Sequence, residues 1–389
     1  LQLDQNIRKK NAPNLDKNSS GNSVSQSPSS FLRNYTNEDF DGGFTINSVQ
    51  DIEGNILPFK INQTMMRVDL KKALAPGQVF EFKIDWWYNI NNRMEYGVRS
   101  GYETFENDVN KVYTIAQFFP RLCVYNDVEG WQNFQFWGNG EFALEFGDYE
   151  VNITVPSDHI MEATGSLLNP KEVLTRVEYR RFIDSNSSFD KPILIVNQDE
   201  AFLKESSFSK TKSTWRYSAK NVRDFAFASS RKFIWERQAV KVGENKVMAV
   251  SIYPKEGNPL WEDYSTKAVI QTLKTYSKFT FDYPYPKAVS VHAKRIGMEY
   301  PMICFNFGRP EEDGSYSERT KFGMISVIIH EVGHNYFPMI VNSDERQWGW
   351  MDEGLDTFVQ YLTEQDFGVS YPESIGNLEK YPSSRGAPN

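Results

Sequence analysis

Histidine is scarce in this chain, with four in 389 residues, and cysteine is scarcer, with Cys123 and Cys304 alone. Two thiols exclude a dense disulfide scaffold, so they are read as free and buried; they decide nothing about compartment. No run approaches eighteen consecutive apolar residues, which excludes a membrane-spanning helix. Positive charge is also in short supply: 43 Lys and Arg stand against 51 Asp and Glu, for a net charge of −8 and a pI near 5.3. A chain of this balance lacks the basic footprint that a nucleic-acid backbone requires. An acidic surface modestly favours cationic peptides.

Aromatic residues are plentiful. Phe, Tyr and Trp number 28, 20 and 9, enough to fill sizeable cores. The length suits two or more domains. Residues 5–45 are rich in Asn, Ser, Asp and Lys, and Ser19 to Ser30 holds seven serines with almost no apolar residue, so this part is expected to be a long loop or disordered. The chain starts at Leu1 without a signal peptide and ends at Gly386-Ala387-Pro388-Asn389. It is read as an internal piece of a longer protein, from which a signal peptide could have been lost.

From residue 46 to 236 the pattern is mainly β. Val79–Trp86, Phe142–Pro156, Val173–Phe182 and Pro192–Val196 read as strands, and Trp137-Gly138-Asn139-Gly140 as a hairpin turn. A change is expected near Arg237. The strand Lys246–Tyr253 is followed by a helix through Tyr276, with Asn258 as its cap and Pro259 in its first turn. Ala288–His292 has strand character, and Arg309–Thr320 reads as a charged loop. The domain reading is therefore 1–45 irregular, 46–236 β-rich and 237–389 catalytic. The fold class expected is a multidomain α+β protein.

Two of the four histidines fall in one pentapeptide, His330-Glu331-Val332-Gly333-His334. Met324, Ile325, Ile328, Ile329 and Val332 recur at helical spacing, so Lys321–Met339 is predicted to be a helix, limited by Pro338. Positions four apart share a face, so His330 and His334 can offer nitrogens to one cation. Zinc suits imidazole with carboxylate, and a catalytic zinc keeps three protein ligands and one open position. Glu353, nineteen residues past His334, is the third ligand, on a second predicted helix over Gly349–Glu364. Asp356, one turn on, is placed to orient an imidazole from behind. Glu331 is the base that takes a proton from water and returns it to the leaving amine.

Upstream, Gly297-Met298-Glu299-Tyr300-Pro301 follows the Ala288–His292 strand. A glutamate in that setting, set beside the metal, would bind a free α-amino group, with Gly297 and Met298 part of the same substrate N-terminus binding segment.

Together these segments resemble the aminopeptidase N family of gluzincin zinc peptidases, which includes the leukotriene hydrolase/aminopeptidases. The family pattern G-x-M-E-N, H-E-x-x-H and a glutamate after eighteen residues is matched by Gly297, Met298 and Glu299, by His330, Glu331 and His334, and by Glu353. Trp350-Met351-Asp352-Glu353-Gly354 looks like the family's W-x-x-E-G. The likeness covers most of residues 46–366 and implies an N-terminal antiparallel β domain followed by a thermolysin-like zinc catalytic domain, incomplete at its C-terminal end. It implies one Zn2+ per chain, peptide substrates with a free N-terminus, and hydrolysis of the N-terminal peptide bond through a zinc-bound water. Peptide scavenging would place such an enzyme in the cell envelope or outside the cell.

Three departures stand out. Tyr300 replaces the family's asparagine. Asn335-Tyr336-Phe337-Pro338 replaces Q-W-F-G. The tyrosine that stabilises the family's oxyanion lies farther past the third ligand than the 36 residues remaining here (389 − 353), and neither Tyr361, Tyr371 nor Tyr381 has the right spacing. Two other readings stay open: an endopeptidase of the same clan, which would cleave blocked peptides, and an inactive zinc- or peptide-binding module.

Overall fold

The computed structural model describes residues 1–9, 40–96, 99–138 and 140–368. Most of the serine-rich stretch, the hairpin turn at Asn139, and Tyr371 and Tyr381 lie outside the described residues. By internal contacts the chain divides into two units, residues 1–102 with 115–145, and residues 103–114 with 146–389.

The first unit contains paired antiparallel strands. β1 (Thr45–Asp51) pairs with β4 (Phe82–Trp87), and β2 (Phe59–Asn62) pairs with β3 (Met65–Val68). Leu3, Phe44, Val49, Leu57 and Met66 form a buried core cluster, with Val49 on β1 and Met66 on β3. Cys123 is buried here as a free thiol.

The second unit contains β5 (Gly147–Pro156), α1 (Arg176–Ser185), β6 (Ile193–Val196), β7 (Lys212–Val222), β8 (Phe233–Val242) and β9 (Asn245–Pro254). It continues with α2 (Leu260–Phe279), β10 (Lys287–His292), β11 (Met298–Tyr300), β12 (Ile303–Asn306), α3 (Glu318–Gly333) and α4 (Glu353–Phe367). β5 and β7 pair antiparallel over their length. Six strands form one mixed sheet in the order β6-β8-β9-β10-β12-β11. β9, β10 and β12 run parallel, and α2 is the crossover that the β9–β10 step requires.

Three expectations change. Val173–Phe182 is not a strand: most of it lies in α1, because Thr175 and Glu178 form a reciprocal capping box that starts a helix there. The boundary expected near Arg237 falls inside β8, where both faces of the strand are buried, so the sheet runs straight through it. The helix expected over Lys321–Met339 ends at Gly333. Phe337 takes an extended conformation (φ −138°, ψ 112°), as the residue before a proline prefers. Smaller differences are at ends: Asn258 precedes α2 without capping it, and Gly349–Met351 is a separate short turn before α4.

The sheet face under α2 carries an unusual acid. Glu236 on β8 is 1% exposed, and Thr266 Oγ1 donates to its Oε1 at 2.6 Å. Burial, reinforced by Glu262, pushes the carboxyl from its usual 4.5 up to about 8. The folded protein therefore holds a proton there that the unfolded chain has released, between pH 4.5 and 8. The sign follows: this contribution to stability is fully present below the unfolded value and is lost as pH rises through the folded one, by up to about 1.4 kcal/mol per pH unit. We expect Glu236→Gln to flatten the fall in denaturant midpoint between pH 5.5 and pH 8 and to be more stable than the parent at the upper end. Parallel midpoint curves for the two proteins would contradict this assignment.

Candidate metal centre

Three elements of the second unit build the site: α3, the start of α4, and the edge strand β11. α3 is fixed by its apolar stripe. Met324, Ile325, Ile328, Ile329 and Val332 are all fully buried, and each such side chain contributes about 1.5–3 kcal/mol relative to exposure. Ser317 caps the helix start by accepting from the Thr320 amide at 3.0 Å. The opposite face then presents His330 and His334 on successive turns, the latter at the helix C-cap.

The three residues expected to bind a metal do meet. His330 Nε2 and His334 Nε2 are 3.1 Å apart, and Glu353 Oε2 lies 3.4 Å from the first and 3.8 Å from the second. The triad is open on one side, where Glu353 is 65% exposed, whereas His334 is 1% exposed. Each ring's other nitrogen faces acceptors. His330 Nδ1 is 2.8 Å from Asp356 Oδ2 and 3.0 Å from Gln360 Oε1. His334 Nδ1 is 2.8 Å from the Phe337 carbonyl and 2.9 Å from Asp352 Oδ1. Those partners assign the ring protons to Nδ1, which leaves both Nε2 lone pairs aimed at one point beside a carboxylate. A cation at that point resolves the repulsion between them. Burial disfavours charge on these rings, yet Asp356 beside both raises them in the metal-free site, where a proton on Nε2 occupies the position that a cation would take from the neutral rings. The pocket is electrostatically set for positive charge.

The donor set of two imidazoles and a carboxylate fits zinc, with outer acceptors of the kind that orient zinc-bound histidines. Sequence reasoning placed Asp356 in that outer role and missed Asp352 and Gln360. The missed signal was spacing: Asp352, Asp356, Gln360 and Glu364 recur every four residues and are all buried.

Glu331 is not a member of the triad, although its carboxyl interacts electrostatically with both histidines and with Glu353. The residue is 6% exposed, and its Oε2 has no hydrogen-bond partner among the described residues. Burial pushes its carboxyl up, against the pull of both histidines. Gly297 lies directly against it: a Cβ at 297 would fall on Glu331 Oε1, so a larger residue there would displace the carboxylate. Gly333 is equally constrained, since a Cβ would strike the Tyr276 hydroxyl and Asp356 Oδ1. Both glycines of the two motifs thus make room for functional oxygens.

Glu299 sits on β11, an edge strand rather than a loop at a strand end, paired with Cys304 of β12. It is half-buried, and its carboxylate shares a cluster with His334 and Asp352 in which the three ligand atoms lie within 4.8 Å of one another. Met298 and Tyr300, flanking it, are buried and anchor the strand. A further acidic trio, Asp108, Glu205 and Glu256, already surrounds the buried Lys232 ammonium, which contacts all three. That cluster is an ion-pair network, with a lysine where a metal would be.

No family model matches the sequence. A 130-residue stretch is 24% identical to aminopeptidase M1-A of Oryza sativa subsp. japonica, covering 32% of this chain and 14% of that protein. Among solved structures, the M1 zinc metallopeptidase from Deinococcus radiodurans aligns with a TM-score of 0.50 at 12% identity, over 83% of this chain and 61% of its own. Legionella pneumophila aminopeptidase A in complex with aspartic acid aligns with a TM-score of 0.53 at 11% identity, over 83% of this chain and 33% of its own. A two-domain M1 zinc metallopeptidase mutant bound to L-arginine aligns with a TM-score of 0.51 at 13% identity, over 84% and 62%. The chain therefore has the mixed helix-and-sheet fold of the M1 zinc metallopeptidases, in keeping with its motif resemblance to the aminopeptidase N family. It spans about three fifths of the Deinococcus structure and a seventh of the rice enzyme.

Proposed function

We propose that this protein is a zinc-dependent aminopeptidase that hydrolyses the N-terminal peptide bond of peptides. The observation that carries the reading is the convergence of His330 Nε2, His334 Nε2 and Glu353 Oε2, next in sequence to a buried Glu331 oxygen that has no hydrogen-bond partner among the described residues.

His330, His334 and Glu353 would hold one zinc ion. When bound there, zinc supplies Lewis-acid polarisation of the scissile carbonyl and lowers the pKa of water toward neutrality. The chain's own groups do the rest. Asp356 and Gln360 orient the His330 ring, and Asp352 with the Phe337 carbonyl orients that of His334. Glu331, raised by burial, takes the proton of the attacking water and passes it to the leaving amine. Gly297 keeps the space that this carboxylate needs.

Glu299 makes the reaction an exopeptidase one. It stands near His334 with part of its side chain accessible, in reach of a substrate's α-ammonium. A charge-assisted hydrogen bond of this kind contributes roughly 1.5–3 kcal/mol, which is about ten- to hundredfold in preference for a free over a blocked N-terminus. Glu299→Ala should therefore lose that preference. Matched free and acetylated peptides, assayed on the full-length protein with and without a chelator, provide the test. Equal cleavage of both by the parent would instead identify an endopeptidase, and zinc and peptide binding without turnover an inactive binding module.

The envelope or the exterior of the cell is our proposed location, on the ground that peptide scavenging operates there. Among the described residues no helix is long and apolar enough to cross a membrane.

A further inference from the structure

α3 and α4 meet along a ladder of polar contacts. Each step of four residues up α3 is matched by a step of four down α4. His334 faces Asp352, His330 faces Asp356 and Gln360, and Ser326 faces Gln360 and Glu364. The last rung lies beyond the metal triad, and the reaction makes no use of it.

Its hydrogen bonds have a direction. Gln360 Nε2 donates to Ser326 Oγ at 2.9 Å and to Glu364 Oε1 at 2.8 Å, and Ser326 Oγ donates to the same Glu364 oxygen at 2.5 Å. With its amide nitrogen committed to Ser326 and Glu364, Gln360 turns Oε1 the other way, toward His330 Nδ1. A second relay reaches the same ring from α2. The Tyr276 hydroxyl, fully buried, lies 2.8 Å from Asp356 Oδ1 and 3.0 Å from the Asp356 carbonyl, and Asp356 Oδ2 stands 2.8 Å from His330 Nδ1 as an ion-pair contact. Gly333 admits that hydroxyl.

We propose that Ser326, Glu364 and Tyr276 are positioning residues that aim the His330 imidazole at the metal without touching metal or substrate. Ser326 and Glu364 act through Gln360, and Tyr276 acts through Asp356. Glu364 is fully buried, an expensive place for a carboxylate unless its acceptor capacity is used. Fixing a ligand's ring orientation is such a use.

This rests on His330 being a zinc ligand, and the test separates the two ideas. Zinc affinity is measured by competition with a chelator on the full chain and on Glu364→Gln, Tyr276→Phe and Ser326→Ala, together with the thermal midpoint of each metal-free protein. We expect affinity about tenfold weaker for Glu364→Gln and for Tyr276→Phe, the lower end of what outer partners of metal ligands contribute, with metal-free midpoints within a few degrees of the parent. Ser326→Ala, which removes one hydroxyl at a half-buried position, should weaken zinc in the same direction even if the larger changes impair folding. Tyr276→Phe added to Asp356→Asn should cost no more than Asp356→Asn alone, because both act through one carboxylate. A parent that binds one zinc, with all three variants within twofold of it, would overturn the positioning role alone. A parent that binds none would overturn the metal reading and this inference together.

Discussion

Replacing Glu331 with glutamine is expected to lower turnover by about two to four orders of magnitude while one zinc stays bound, the range that positioned acid–base groups contribute. The geometry explains the separation. Glu331 is not a member of the triad, so the ligands are intact in the variant. Its Oε2 is buried with no hydrogen-bond partner among the described residues, so a glutamine of the same shape breaks no structural contact at that atom. What disappears is basicity. Burial raises this carboxyl above the ordinary glutamate value, which makes it a stronger base toward water. Paired measurements of zinc content and of kcat on a free dipeptide check this. Near-parent rates with zinc present would remove Glu331 from the proton-transfer role.

Replacing His334 with alanine is the second large effect. The ring is 1% exposed and supplies Nε2 to the triad, while its Nδ1 side lies against the Phe337 carbonyl and Asp352. Its loss removes one of three ligands, and the expected fall in zinc affinity exceeds the roughly hundredfold that outer partners alone can cost. It also leaves the Phe337 carbonyl without its hydrogen bond from Nδ1, so the variant should lose stability by about 1–3 kcal/mol even before metal is considered. Equilibrium dialysis against zinc, with denaturation midpoints taken on metal-free protein, measures both effects. An unchanged affinity would show that the ion sits elsewhere.

The site was largely legible in the sequence because it is built from local regularities. A four-residue step on an apolar helix fixes where His330 and His334 point, and Glu353 opens the second helix that the sequence predicts, although Met351, Leu355 and Phe358 of its apolar stripe are exposed and the buried face carries Asp356, Val359, Gln360, Thr363 and Glu364. Glu299 was legible as an odd glutamate between Gly297-Met298 and Tyr300, although its strand was not, since a three-residue edge strand carries little pattern. The outer groups were harder. Asp352 and Gln360 are polar residues at helical spacing, a pattern that ordinarily marks a solvated face; only the packing of α3 on α4 shows that this face is inside. Tyr276 could not be paired with Asp356 across eighty residues of chain from one sequence.

Elsewhere the misreadings have local causes. Val173–Phe182 has residues that alternate well enough for a strand, but the Thr175–Glu178 capping box outweighs them and starts α1. The expected break near Arg237 reflected a real change, from antiparallel pairing to parallel crossover, which lies one strand later, after β9. The strand expected over Lys246–Tyr253 lies within β9, whose run from Val247 to Pro254 is buried on both faces.

The central claim is that one cation is shared by His330, His334 and Glu353. Anomalous diffraction at the zinc absorption edge, on crystals of the zinc-loaded full-length protein, tests it most directly. The account predicts a single strong peak about 2.0–2.2 Å from His330 Nε2, His334 Nε2 and Glu353 Oε2. A peak at another place, or none at this one under saturating zinc, would contradict it.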